Sequence, residues 1–532
     1  MSIMKKIGVR GLRSFGYEEQ LIPFSRINIY VGKNSCGKSS FLRTYPLLRQ
    51  STESDKTSPV LWYAGHQGYV DFGDFSTALH DGGNAIHFDF EMIVSGAERV
   101  QKIRKSNLTS NFMHRSVLHE MMFDIRLTLS LRKEKNNTVR SEVTIIEGDN
   151  VATLCFSGDE FEKIKVWNKK WDYHVDLSMP MRCEKGCLIP KDAYKLKEMN
   201  YKDIGKIYFQ VDGPWEQGVA SLADYLASYH HKSKKIENIR GGVEHIPLCD
   251  RERIYRYLRS AFSGDNFFRR KLDEHREEIV DIAYTHLFLK NIGYFLRAAD
   301  NTFNKFYGGV RYLGPLRASA ERFYRFQELQ IQEIDHTGSN LPMVINSLNK
   351  QKKNRLSKWI KESFGFELEL QSTGLHYELR IKEDGDSAFH NVSDMGFGYS
   401  QILPVIVSLW LELTDSEESS PKENVTGRER CRTIVIEQPE LHLHPALQHK
   451  FGLAICKVIK LARRLDYNFV IETHSKHLID AIGESVCAKV IGKDEVNIAL
   501  FEKNSKGVTE VSLAGFDGDG YLENWPAGFL SA

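Results

Sequence analysis

The stretch Gly32-Lys33-Asn34-Ser35-Cys36-Gly37-Lys38-Ser39 constrains this chain more than any other. Its G-x-x-x-x-G-K-S spacing lies between an alternating, β-rich run, Arg26 to Val31, and a helical run from Ser40 onward. A strand, a glycine turn and a helix start aim several backbone N–H groups and a helix dipole at one point, which suits a phosphate. The backbone of Asn34, Ser35, Cys36, Gly37, Lys38, Ser39 and Ser40 would then cradle the phosphates of ATP. Lys38 would reach the β- and γ-phosphates, and the Ser39 hydroxyl would ligate Mg²⁺. The expected class is therefore α/β, built on a parallel or mixed sheet with helices.

Such a loop needs a second strand that carries a carboxylate to the metal. Thr433 to Glu437 is a short apolar, β-branched run ending in an acid, followed by Gln438-Pro439-Glu440 and on to Pro445. Phe469 to Glu472 reads as another buried strand and delivers Thr473-His474-Ser475. About 400 residues separate Lys38 from Glu437, far more than one mononucleotide-binding unit needs. The nucleotide domain is therefore expected to be split, with other structure inserted.

A second glycine-rich element, Asn391 to Gln401, precedes an apolar helical run from Ile402. Small residues at a helix start again suit an anion, which puts Ser393, Gly396, Gly398 and Ser400 among the candidate nucleotide-binding residues. This suggests an ATP sandwich, in which one subunit's turn closes over nucleotide held by the other. The same stretch also reads as a turn capping a core helix.

Composition is that of a globular chain: 532 residues, 41% hydrophobic, 27% charged, and 72 basic against 70 acidic residues for a net charge of +2. That excludes a disordered chain, a disulfide scaffold or a protein basic all over. The longest apolar candidate for a membrane span, Ile402 to Leu413, is short and holds Pro404 and Glu412. No apolar leader opens the sequence, so no membrane role and a cytoplasmic location are expected. Cys183 and Cys187 form a lone C-x3-C, read either as a zinc half-site or as two reduced structural thiols.

Taken together these motifs resemble the ABC-type ATPase superfamily, in its soluble SMC-like and OLD-like branch, over residues 1–95 and 305–532. Val9 to Gly16 resembles the opening strand and turn of such heads. Glu437 to Pro445 resembles their acidic strand and D-loop, and His474 their switch histidine. Tyr312-Leu313-Gly314-Pro315-Leu316-Arg317 and Asn524 to Phe529 are similar to a narrower group, the PtuA-type AAA ATPases of Septu and retron phage-defence systems. The resemblance implies a split P-loop head with a helical signature lobe and an α+β insertion: head 1–95, insertion 96–304, head 305–532. It implies ATP and Mg²⁺ as cofactors, with Ser39 and Glu437 on the metal, and a homodimer or higher oligomer joined through the heads. It also implies a separate HNH-type nuclease and, in retron systems, a reverse transcriptase with its nucleic acid.

One departure bears on chemistry. Where the family's acidic strand usually ends Asp-Glu, this chain has Glu437-Gln438. An amide cannot accept a proton as a general base at neutral pH. Slow turnover and a long-lived ATP state are therefore expected. Glu440 is the nearby carboxylate that either substitutes as base or begins the next turn as a structural acid. Glu437, Gln438, Glu440 and His474 make up the expected catalytic set.

Within the insertion, Phe123 to Leu131 and Arg140 to Glu147 read as strands around a turn at Asn136-Asn137, and Asp273 to Lys305 as one long amphipathic helix. Residues 232–271 hold 11 Lys and Arg against 5 Asp and Glu, interleaved with Tyr255, Tyr257, Phe262, Phe267 and Phe268. That segment suits either nucleic acid or a solvated face over an aromatic core. Lys350 to Arg355 is a second basic cluster, read as a cap or loop. About 58 residues follow His474, too few for a C-terminal nuclease domain. The leading expectation is a dimeric ATP switch controlling a separate effector nuclease. The alternative is a DNA-repair or chromosome-maintenance ATPase that clamps DNA directly.

Overall fold

The computed structural model describes residues 3–54, 56–65, 68–95, 121–158, 160–183, 186–190, 193–201, 205–211, 217–325, 333–374, 376–418, 431–461 and 466–526. The head begins with β1 (Ile3–Arg10), β2 (Leu21–Pro23), β3 (Ile27–Gly32), α1 (Lys38–Leu42) and α2 (Thr44–Glu53). The break between α1 and α2 has a covalent cause: Pro46 has no N–H to donate back to Leu42. Next come β4 (Ile86–Ser95), β5 (Met122–Glu134), β6 (Asn137–Glu147), β7 (Asn150–Ser157), β8 (Glu160–Asn168), β9 (Tyr173–Cys183), β10 (Ala193–Tyr201) and β11 (Gly205–Val211). Six helices follow: α3 (Gln217–Ala227), α4 (Ile236–Val243), α5 (Arg251–Ala261), α6 (Asn266–Glu274), α7 (Arg276–Lys290) and α8 (Ile292–Gly308).

The chain then returns to the head through β12 (Val310–Leu313), β13 (Tyr324–Arg325), α9 (Lys350–Phe364), β14 (Phe366–Thr373), β15 (His376–Glu383), β16 (His390–Asn391) and α10 (Phe397–Glu418). It ends with β17 (Cys431–Glu437), α11 (Pro445–Leu461), β18 (Asp466–Glu472), α12 (Lys476–Cys487), β19 (Val496–Lys503), β20 (Thr509–Phe516) and β21 (Leu522–Glu523).

The seven-stranded sheet runs β12-β17-β18-β3-β19-β20-β21. Its first five strands are parallel, and β20 and β21 are antiparallel. Parallel strands covered on both faces are largely apolar, as the centres of these are. Period-two alternation sorts their side chains. Ile27, Ile29, Val31, Ile434, Ile436, Phe469 and Ile471 pack with α10, α11 and α12. Tyr30, Val435, Val470 and Phe501 point the other way, toward α2 and α8. That second core continues into an antiparallel sheet of ten strands, β11-β10-β9-β8-β7-β6-β5-β4-β1-β2. The observed architecture is thus α/β, with a P-loop sheet split by an antiparallel insertion.

Several expectations change in detail. The expected boundary after residue 95 falls within one sheet, because β4, which ends at Ser95, pairs β5 from Ile86↔Leu131 to Ser95↔Met122. The expected break there separates no two sheets, and the one at 304/305 falls inside α8. The single helix expected over 273–305 is instead the end of α6 followed by α7 and α8, the last two parted at Asn291, whose side-chain amide donates to the Leu287 carbonyl at 2.7 Å. Ile279 to Leu289 is buried on every side, so α7 is a core helix and not amphipathic. The hairpin turn falls at Lys135-Asn136, with Lys135 at φ +54°.

α10 is longer than the Ile402–Leu413 run. Its stretch Phe397–Thr414 is long and apolar enough by composition to cross a membrane, yet 72% of it is buried against the rest of the chain. Pro404 lies inside the helix and beneath Gly338, where a Cβ would stand 2.4 Å from the proline ring. Lys350 to Arg355, expected as a cap or loop, opens α9 behind the Asn349 cap. The Cys183 side chain of the C-x3-C pair and the tail from 527 lie outside the described residues; Cys187 is half-buried.

Candidate functional site: a phosphate loop facing two strand ends

The loop from β3 to α1 is held by its own lysine. Lys38 is 3% exposed, and its Nζ donates to the Gly32 carbonyl at 2.9 Å and the Lys33 carbonyl at 2.8 Å. Two glycines have steric reasons to be glycine. At Gly37, φ is +99° and a Cβ would meet Thr509 Oγ1 at 2.7 Å; at Gly32 it would meet the Phe501 carbonyl at 2.2 Å. From β20, Thr509 donates to the Cys36 carbonyl at 2.9 Å, fixing the loop from outside. Lys33, Asn34 and Ser35 are exposed, Cys36 and Gly37 are buried, and Ser39 and Ser40 are half-buried. Ser35 has φ +62°, which opens the loop outward.

Opposite the loop lie the ends of β17 and β18. Their register puts Glu437 beside Glu472, and Glu472 beside Tyr30 of β3. The two neighbouring carboxylates have different partners. Arg43 donates to both oxygens of Glu437, each at 2.8 Å, and the Tyr312 hydroxyl donates to Oε1 at 2.7 Å. The bond to Glu437 raises the Arg43 pKa above its ordinary value. Glu472 instead accepts from the Ser39 hydroxyl at 2.9 Å, with Lys38 Nζ 4.0 Å away. Burial, reinforced by the neighbouring Glu437, pushes the Glu472 carboxyl up to about 7. Its Oε2 is buried without a hydrogen-bond partner among the described residues.

Beyond β17 the chain turns sharply. Gln438 takes φ +42° and its N–H donates to the Glu472 carbonyl at 2.8 Å. Both Glu440 oxygens are in use: Oε2 accepts from the Thr473 hydroxyl at 2.8 Å, and Oε1 from the His474 N–H at 2.7 Å. Burial raises the Glu440 pKa. His474 is held through its backbone, while its Nε2 is buried without a partner among the described residues. Burial, then the nearby Lys38, lowers its pKa. Ser475 caps α12 and donates to Gln448 at 2.6 Å, tying the turn to α11.

The glycine-rich element occupies a separate place. Asn391 caps Ser393, accepting from its N–H at 3.0 Å, and Gly396 has φ +87°. Ser400 donates to the Phe397 carbonyl at 3.0 Å. A Cβ on Gly398 would sit 2.7 Å from the His442 carbonyl, and the Phe397 and His442 rings meet edge to face at 4.8 Å. Among the described residues no hydrogen bond or ion pair links Ser393, Gly396, Gly398 or Ser400 to the phosphate loop. Their link is to the strand end: Gln401 exchanges two hydrogen bonds with the Arg317 backbone, and the Arg317 guanidinium donates to the Glu437 carbonyl at 3.0 Å. Arg317 is 4% exposed, and its Nε and Nη1 have no partner among the described residues.

The structure thus brings Asn34 to Ser40, Glu437, Gln438, Glu440 and His474 to one place. Arg43, Tyr312, Arg317 and Glu472 join them, and sequence reading gave none of these a role. Arg43 lies four residues after Ser39, hence on the same helix face. The basic segment 232–271 spends its charge locally. Arg259 pairs with Asp273, Arg256 and Arg276 with Glu252, Lys271 with Glu274, and Lys234 with Asp265. Phe262 and Phe268 are buried under it. Among the described residues no group of three or more His, Cys, Asp or Glu is placed to hold a metal ion.

Residues 290–479 match the family described as AAA ATPase domain. No curated protein matches the chain. Among solved structures it is similar to the Smc head domain of Pyrococcus furiosus bound to the C-terminal domain of ScpA, at 10% identity and TM-score 0.35, over 97% of both chains. It is also similar to the SMC head domain of Thermotoga maritima (10%, TM-score 0.31, 96% of this chain and 98% of that one). A third is the Smc head domain of Pyrococcus yayanosii with its coiled coil and joint (9%, TM-score 0.34, 98% of each). The P-loop architecture rests on strand order and register, not on these likenesses.

Proposed function

We propose that this chain is an ATP-binding, slowly hydrolysing switch ATPase. The observation that carries the reading is the phosphate loop of Lys38 and Ser39 facing strand ends at which Gln438, an amide, stands where a proton acceptor would be expected. Lys38 would meet the β- and γ-phosphates, and the N–H groups from Asn34 to Ser40 would wrap them. The oxygen donors present, the Ser39 hydroxyl with Glu437 and Glu472 nearby, are of the hard type that suits Mg²⁺. When bound, Mg²⁺ would neutralise charge on the β- and γ-phosphates.

The chain's own residues then define the rate. Gln438 can orient a water but not take its proton. Glu440 holds His474 in place through Thr473 and the His474 N–H, which supports a positioning role over that of a base. His474 keeps its Nε2 available for a phosphate oxygen or water. Slow hydrolysis suits a timed switch better than a motor. A second copy would supply Ser393, Gly396, Gly398 and Ser400 across the nucleotide, which agrees with their separation from the loop within one chain. In the defence setting that the motif resemblance implies, the switch would control an HNH-type nuclease, with a reverse transcriptase and its nucleic acid in a retron complex.

The test is ATP binding and single-turnover hydrolysis by the purified chain, alongside Gln438→Glu. Tight binding, slow turnover and a faster Gln438→Glu variant are expected. Absence of ATP binding would sink the reading, and an unchanged rate in the variant would remove Gln438 as the cause of slowness.

A further inference from the structure

We infer that Glu472, at the end of β18, is the carboxylate that meets the nucleotide's divalent cation beside Ser39, and that Glu437 is instead closed off by Arg43 and Tyr312. The inference rests on the ATP-binding reading above and concerns which acid serves the metal.

Three observations carry it. The Ser39 hydroxyl, the metal-side group of the loop, donates to Glu472 Oε1 at 2.9 Å and makes no bond to Glu437. Glu472 is 2% exposed and its second oxygen, Oε2, is buried with no partner among the described residues. A buried carboxylate oxygen left unpaired is costly, and a proton or an arriving cation relieves it. Lys38 does not fill that place, since at 4.0 Å it is beyond hydrogen-bond reach of Oε1 and its donors go to two loop carbonyls.

Glu437 is the opposite case. It accepts two bonds at 2.8 Å from one guanidinium and a third at 2.7 Å from a phenol. A bidentate arginine already neutralises that carboxylate. A divalent cation arriving there would have to displace Arg43 against charge repulsion. The β17–β18 register sets the two acids side by side, about 5 Å apart across the ladder. The metal therefore has a choice between neighbours, and only one is unencumbered.

The experiment measures equilibrium binding of a fluorescent ATP analogue to the full-length chain in EDTA and in Mg²⁺, repeated with Mn²⁺ followed by electron paramagnetic resonance. Wild-type protein should gain at least tenfold in affinity on adding Mg²⁺. Glu472→Gln should bind the analogue in EDTA as well as wild type, lose most of the gain and give a weakened Mn²⁺ signal. Glu472→Asp should recover part of it. Glu437→Gln, the same change at the clasped acid, should lose less of the gain than Glu472→Gln. A Glu472→Gln variant that keeps the full gain overturns the inference while ATP binding stands. Failure of wild type to bind the analogue in either condition is a different result and overturns the functional reading itself.

Discussion

Around α7 a buried polar cluster is almost closed on itself, with Glu147 Oε2, beside Tyr284, its one atom without a partner among the described residues. Asn168 donates to Asn150 at 3.2 Å and to Thr285 at 2.9 Å, and Thr285 donates to Asn150 at 2.7 Å. His286 has Ser221 at 2.9 Å on one ring nitrogen and Tyr173 at 3.0 Å on the other. Asp281 accepts from Lys170 at 2.7 Å, from Trp171 at 3.0 Å and from Arg251. At the ends of β17 and β18 the cluster is equally buried but open: Glu472 Oε2, His474 Nε2 and two Arg317 nitrogens lack partners among the described residues. Orphaned buried groups cost about 1–3 kcal/mol each. The open groups gather where the proposed nucleotide would sit.

This contrast can be broken by experiment. The largest effect belongs to the closed cluster in acid. Burial lowers the His286 pKa from 6.5 to about 3. The unfolded chain takes a proton below pH 6.5 while the folded one resists until about 3, so this contribution is present above 6.5 and lost as pH falls. It amounts to about 4 kcal/mol by pH 3. Denaturant titrations from pH 7 to 4 should show a shallower decline for His286→Asn than for wild type, and parallel curves would break the argument.

Next is Asp281→Ala, which removes a buried acceptor of three hydrogen bonds, from Lys170, Trp171 and Arg251, and should cost about 3 kcal/mol of unfolding free energy. A melting temperature within a degree of wild type would show that the cluster is not closed. Lys38→Ala removes the donor that holds the loop, so it should weaken ATP binding about 100-fold, near 2.7 kcal/mol, and lower the melting temperature as well. Calorimetry and thermal melts together check both halves. The smallest effect is Gln438→Glu, expected to speed single-turnover hydrolysis about tenfold.

Much of the open site was legible as local pattern. The loop from Gly32 to Ser39, the apolar strand ending at Glu437 and the Thr473-His474-Ser475 turn lie where spacing and alternation put them, because each is fixed by a few consecutive residues. The role of Glu440 was not legible. Its two bonds reach Thr473 and His474, more than thirty residues on, and no periodicity encodes that. The helix expected over 273–305 failed for a similar reason. An unbroken apolar run can be one long helix or two, and the Asn291 side chain capping Leu287 decides it. The cationic stretch 232–271 looked open as a sequence, while folding folds most of that charge into ion pairs.

By itself, then, the sequence determined a strand, glycine loop and helix at residues 26–42, an α/β fold and an amide directly after the acidic strand, because backbone conformation and residue chemistry at those points are local. Only the tertiary structure decided which of two adjacent glutamates is free. That depends on Arg43 and Tyr312, nearly 400 and 125 positions from Glu437, being brought to one carboxylate by the parallel register of β12, β17, β18 and β3.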